Sequence, residues 1–124
     1  MFYEIRRYHV TPGKLDDLDD RFEKHAVGFF AKHEIQPVAF FKTYIGPSNN
    51  ELVYILAWRD LEERERKWAA FSTDPDWLEV RRQTEKSGPL VERIETAVMS
   101  LTRYSPVPVG TATSGPVTQD AAAT

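Results

Sequence analysis

The chain contains no cysteine. That excludes disulfides, thiolate metal sites and a cysteine nucleophile. No apolar run approaches the roughly 18 residues of a membrane-spanning helix, so no membrane partner is expected. Nor is there a basic surplus. Sixteen Lys and Arg stand against nineteen Asp and Glu, a net charge of −3, whereas a nucleic-acid-binding surface normally shows an excess of positive charge. A glycine-rich phosphate loop, a GxSxG elbow and a dinucleotide fingerprint are all missing. An enzyme built on this sequence is therefore expected to use no nucleotide cofactor. Met1 leads directly into a strand and leaves no room for a signal peptide, so the expected location is the cytoplasm. What remains is an ordinary mixture for one folded domain, 41% apolar and 28% charged in 124 residues.

Turn chemistry and periodicity divide the chain. Pro12-Gly13 stops a first strand of about 2–10. A helix is predicted over 14–33, with Leu15, Leu18, Phe22, His25, Phe29 and His33 recurring at three- and four-residue steps as one inward stripe. Two strands follow, "PVAFFKTYIG" and "ELVYILAWR", joined as a hairpin through a loop of about five residues that includes "PSNN". Asp60 is placed to cap a helix in which Leu61, Trp68 and Phe71 face inward. Asp74-Pro75 restarts it, and Gly88-Pro89 ends it. "VERIETAVMSLTRY" is the last strand. The order β-α-β-β-α-β is the ferredoxin-like arrangement, an α+β fold with a four-stranded antiparallel sheet and its helices on one face. Residues 1–104 form this domain. Residues 105–124, rich in Pro, Gly, Ser, Thr and Ala, bury too little to offset their ordering entropy and read as a flexible tail.

The first strand is unusually charged. Alternation puts Tyr3, Ile5, Arg7 and His9 on one side and Phe2, Glu4, Arg6, Tyr8 and Val10 on the other. With the Ile5 side assigned to the helices, Glu4, Arg6 and Tyr8 fall on the bare face of the sheet. That face carries apolar groups whose exposure is costly, and a second copy packed sheet to sheet would cover them. Glu4 and Arg6 would then be neutralised at a homodimer seam, a role that ranks ahead of catalysis for them.

Candidate chemistry is sparse. His25 lies on the inward stripe between Phe22 and Phe29, where an imidazole can serve as a general base or simply pack. His25 and His33 lie ~12 Å apart along a helix axis and cannot share a metal whose bonds are ~2 Å, so no metal site is expected. The "DDLDD" run lacks the spacing of a calcium loop and suits a helix start. Arg64 reads as a boundary arginine with its head in water. Phe29, Tyr44, Tyr54, Trp58 and Trp68 are the aromatics expected to line an apolar pocket between sheet and helices. His25 would be the base there, and Arg6 and Tyr8 would stabilise an oxyanion, with Arg7 replacing them if the face assignment is inverted.

"YEIRRYHVTPGK", "FEKH", "FFAKHEIQPVAFF", "YIGPSNNELVYILAWRDLEERERKW" and "DPDW", in that order and spacing, resemble the NIPSNAP family of the dimeric α+β barrel superfamily over about residues 3–100. The resemblance implies the same fold, usually as a dimer. Superfamily relatives include cofactor-independent oxygenases, small-metabolite isomerases and haem-binding proteins, and fold alone does not choose among them. Three readings therefore stay open. The first is a homodimer that binds a small apolar or aromatic metabolite and acts on it by cofactor-free proton abstraction, oxygenation or rearrangement. The second is a non-catalytic ligand-binding or assembly module. The third is a haem-binding protein.

Overall fold

The computed structural model describes residues 1–106. Its elements are β1 (Phe2–Val10), α1 (Leu15–Arg21), a π-helical turn (Phe22–Ala26), α2 (Val27–Lys32), β2 (Gln36–Lys42), β3 (Glu51–Trp58), α3 (Leu61–Ser72), α4 (Pro75–Thr84) and β4 (Val91–Ser100). The sheet order is β2-β3-β1-β4, with every neighbouring pair antiparallel. This is the α+β ferredoxin-like architecture. All but Ser105 and Pro106 of the expected tail lie outside the described residues. No helix among the described residues is long and apolar enough to cross a membrane.

Local signals end the helices where the sequence places them. The Asp60 carboxylate accepts from the Glu63 N–H at 2.8 Å, and Asp74 accepts from the Asp76 N–H at 2.9 Å with Pro75 as the first helical residue. Asp74 also receives Lys32 and His33 at 2.7 Å each. One cap thus ties the end of α2 to the start of α4. Gly13 takes a positive φ of 82° in the turn after β1, a conformation that glycine adopts at no steric cost.

α1, the π turn and α2 run on as one helix, but its inward stripe differs from a 3.6-residue period. The Val27 N–H donates to the Phe22 carbonyl, five residues back. The wider turn keeps residues four apart in register, so Leu18, Phe22, Ala26 and Phe30 are buried against the sheet. The core they enter also holds Tyr8, Val10, Leu52, Tyr54, Leu56, Trp58 and Phe71. In α3, Phe71 is buried and Trp68 packs against the core, but Leu61 is half exposed rather than inward.

The register settles which side of β1 meets the helices, and it is the opposite of the sequence expectation. Phe2, Glu4, Arg6 and Tyr8 sit opposite Trp58, Leu56, Tyr54 and Leu52, and those β3 residues belong to the helix-side core. Arg7 and His9 therefore point to the bare face. The hairpin loop is also longer than expected. β2 stops at Lys42, and residues 43–50 form the connection.

Candidate functional site

Glu4 is 1% exposed, and a buried carboxylate survives as an ion only where donors surround it. Four hydrogen bonds do so. Trp58 Nε1–H donates to Oε1 at 2.9 Å and Arg64 Nε–H to the same oxygen at 2.8 Å. Arg6 Nη1–H reaches Oε2 at 2.9 Å and Arg64 Nη2–H reaches it at 3.2 Å. Burial pushes the Glu4 carboxyl up, but the bonds from Arg64, Trp58 and Arg6 outweigh it and leave the pKa below the ordinary glutamate value. Glu4 and Arg6 are thus neutralised inside one chain, under α3, and not against symmetry mates at a subunit seam. Arg64, expected to hold its head in water, closes this network and reaches out to Glu65 at 2.7 Å.

The network continues toward the middle of the sheet. Arg6 Nε–H donates to the Tyr54 hydroxyl at 3.0 Å. Tyr54 and Tyr8 share a hydroxyl–hydroxyl bond of 2.8 Å. Burial pushes the Tyr54 phenol well above its usual range, so it stays protonated and its hydrogen is available to a neighbour. Arg6 stacks 4.3 Å from the Trp68 ring centroid, a cation–π contact in a desolvated setting.

This polar chain ends at an opening. A cleft of about 420 Å³ runs between β1 and β4 on one side and α3 and α4 on the other, with Arg6, Tyr8, Trp68, Phe71 and Trp77 in its lining. A smaller hollow of about 40 Å³ adjoins it, sharing Tyr8, Phe71 and Trp77 and reaching Phe22, Phe30 and Tyr54. Aromatic walls with a few fixed polar groups are the usual make-up of a small-molecule site.

The structure brings together some of the expected site residues and separates others. Arg6, Tyr8 and Trp68 line the cleft and Tyr54 the inner hollow. Trp58 is buried behind them and spends its indole N–H on Glu4. Phe29 packs edge-on against Trp77, with ring centroids 5.6 Å apart. Tyr44 lies in the hairpin loop, 95% exposed, and takes no part in the site. His25 is the main correction. The π turn rotates it out of the inward stripe, and it lines a surface hollow with Asp17, Asp20, Lys24 and Thr84. That placement removes the geometric ground for His25 as a base in the helix–sheet cleft. His33 is engaged by Asp74. No cluster of three or more His, Asp or Glu placed to hold a metal ion occurs among the described residues.

Two cleft residues escaped the sequence reading. Trp77 forms the outer aromatic wall, and its signal was present in "DPDW". Arg21 reaches across from the end of α1 to Thr84 at 3.3 Å and Glu85 at 3.0 Å. It is only 6% exposed.

Comparison with known proteins agrees with the fold. A family model described as NIPSNAP matches residues 3–106. The human Protein NipSnap homolog 3A is 28% identical over 79 residues, 64% of this chain but only 31% of the human protein. This chain therefore spans well under two thirds of that relative's length. A crystal structure of a NIPSNAP family protein of Agrobacterium tumefaciens is 32% identical, covers 86% of this chain and 92% of its own, and superposes with a TM-score of 0.74. At 14% identity, a Bordetella bronchiseptica protein provisionally described as an antibiotic biosynthesis monooxygenase covers 82% of this chain and 96% of its own with a TM-score of 0.60. That likeness concerns the fold alone.

Proposed function

This chain belongs to the NIPSNAP family, and on that premise we propose that it is a homodimeric binding protein for a small, largely apolar or aromatic metabolite held in the cleft between sheet and helices. The observation that carries the reading is the Glu4–Arg6–Tyr54–Tyr8 chain. Its buried members are fixed by bonds to one another, and it delivers a guanidinium and a tyrosine to an aromatic-lined opening. Polar groups held this rigidly lose little freedom on binding, which favours orientation of a ligand. Arg6 and Tyr8 are its polar contacts, and Trp68 and Trp77 grip its flat body. His25 stands outside the cleft, so binding, rather than proton abstraction by that histidine, is the function the geometry favours.

The homodimer rests on the other face of the sheet. Ile5, Val53 and Ile55 lie there by register, beside Phe41 at 51% and Met99 at 46% exposure. No helix among the described residues covers this side, and an apolar face of that kind calls for a partner surface. Sedimentation measures the assembly, and ligand-detected NMR with small aromatic compounds measures the cleft. Trp77→Ala is expected to abolish aromatic binding and leave the dimer intact, whereas His25→Ala is expected to leave both unchanged. Loss of binding in the His25 variant, with Trp77→Ala silent, would move the site to the outer surface of the first helix.

A further inference from the structure

Arg21 is 94% buried by the complement of its 6% exposure, and it lines both the cleft and the inner hollow. Its Nη1 is satisfied by Thr84 and Glu85. Its Nε–H is buried with no hydrogen-bond partner, the one such side-chain atom among the described residues. Buried polar groups are nearly always paired, and an unpaired guanidinium donor beside a cavity points to an acceptor that arrives from outside. The surrounding charge has the matching sign. The charged residues of the cleft lining are Arg6, Arg21, Arg81, Arg93, Glu85 and Glu92; Arg93 pairs with His9 in register and turns its guanidinium to Glu95 on the bare face, which leaves three cations against two anions. Glu85 is shared, 3.0 Å from Arg21 and 3.7 Å from Arg81, while Arg93 approaches Glu95 at 3.7 Å. Trp77 stands 5.7 Å from the Arg21 guanidinium, so a flat group lying on the indole would bring its substituent near that arginine.

Building on the reading of the cleft as a small-molecule site, we propose that its ligand carries a carboxylate on a flat apolar body and that Arg21, through its free Nε–H, is the residue that receives it. A planar carboxylate suits a guanidinium because two oxygens can meet adjacent N–H groups, and the bond is charge-assisted. The aromatic walls take the body of the same molecule. Arg6, bonded to Glu4 and Tyr54, contacts the body of the ligand and adds to the positive field of the cleft, while Arg21 supplies the open donor.

The test uses the full chain and three pairs of probes: benzoate, 3-phenylpropanoate and indole-3-acetate, each against its primary amide, by calorimetry at constant salt. At least one carboxylate is expected to bind ten-fold or more tighter than its amide. Arg21→Gln is expected to erase that preference while amide affinity stays within about two-fold. Should Arg21→Gln fail to fold, Glu85→Gln serves instead. It removes the carboxylate charge that competes for Arg21 and is expected to tighten carboxylate binding several-fold without changing the amide. Equal binding of acid and amide by the unmodified protein overturns the anionic ligand and leaves the cleft standing. A carboxylate preference that survives Arg21→Gln, or that Glu85→Gln does not strengthen, overturns the role of Arg21. If no probe of either kind binds, the cleft reading falls, and this inference falls with it.

Discussion

On the helix side of β1, Glu4 and Arg6 are sealed under α3 and held by Trp58, Arg64 and Tyr54. On the bare side of the same strand, Arg7 and His9 meet carboxylates of the neighbouring strands. Arg7 bonds Glu51 at 2.8 Å, and His9 lies 3.4 Å from Glu51 and 3.1 Å from Glu95. Both sides neutralise their charges, but by different means. The sealed side uses donors from three elements to surround one carboxylate, which fixes a rigid floor beneath a cavity. The bare side uses a cross-strand ladder of ion pairs, with Arg7 and Glu95 substantially open to solvent. Buried networks of the first kind resist any single deletion poorly, because each partner left behind is an unpaired buried charge. Pairs of the second kind contribute little singly where both partners are open to water, as in Arg7–Glu95, although Glu51 itself is buried between Arg7 and His9. One nine-residue strand therefore serves two surfaces: an ordered interior site and an adaptable outer face.

The largest expected effect comes from the sealed side. Glu4→Ala strands Arg6 in the interior and should cost about 3–5 kcal/mol of stability, measured by urea unfolding. The same carboxylate carries a pH dependence. Its folded pKa lies below the unfolded value, so the unfolded chain binds the proton first as pH falls. The Glu4 contribution is complete above the ordinary glutamate pKa of about 4.3 and drains away as acid approaches the lower folded value. Glu4→Gln should make stability fall less steeply with acid, as pH drops below the ordinary glutamate pKa, than it does in the unmodified protein. Tyr54→Phe comes next. It removes the acceptor for Arg6 and the partner of Tyr8 while keeping the ring, and should cost about 1–3 kcal/mol. Arg7→Ala on the bare face should cost about 1 kcal/mol in the isolated subunit, because Arg7 is partly open to solvent and His9 still faces the buried Glu51. A bare-face loss as large as that of Glu4→Ala would erase the distinction between the two sides.

Much of the fold was legible because its signals are local. Asp60, Asp74-Pro75 and Pro12-Gly13 act within a turn of where they stand, and the alternation of β1 correctly grouped Glu4 with Arg6 and Tyr8. Which group faces the helices was not legible. Each side of β1 carries both apolar and charged residues, and the deciding partners, Trp58 and Arg64, lie 54 and 60 residues away. Arg64 interrupting the inward side of its helix was the available clue. His25 was misplaced because a 3.6-residue period was imposed on a helix that contains a π turn. The four-residue spacing of Leu18, Phe22, Ala26 and Phe30 marks that turn in retrospect. Arg21 was passed over because an arginine within a helix ordinarily points to water, and only tertiary structure brings Thr84 and Glu85 to meet it.

The most direct test of the central claim, that the sealed side of the sheet is the binding side, uses the three tryptophan indole signals in a titration with 3-phenylpropanoate followed by NMR. The expected result is that the Trp68 and Trp77 indole N–H resonances shift in a saturable way, that Trp58, held by Glu4, moves less, and that the methyl groups of Ile55 and Met99 stay still. Those two residues line an apolar hollow of about 300 Å³ on the bare face. Saturable shifts confined to Ile55 and Met99, with Trp68 and Trp77 unmoved, would contradict it.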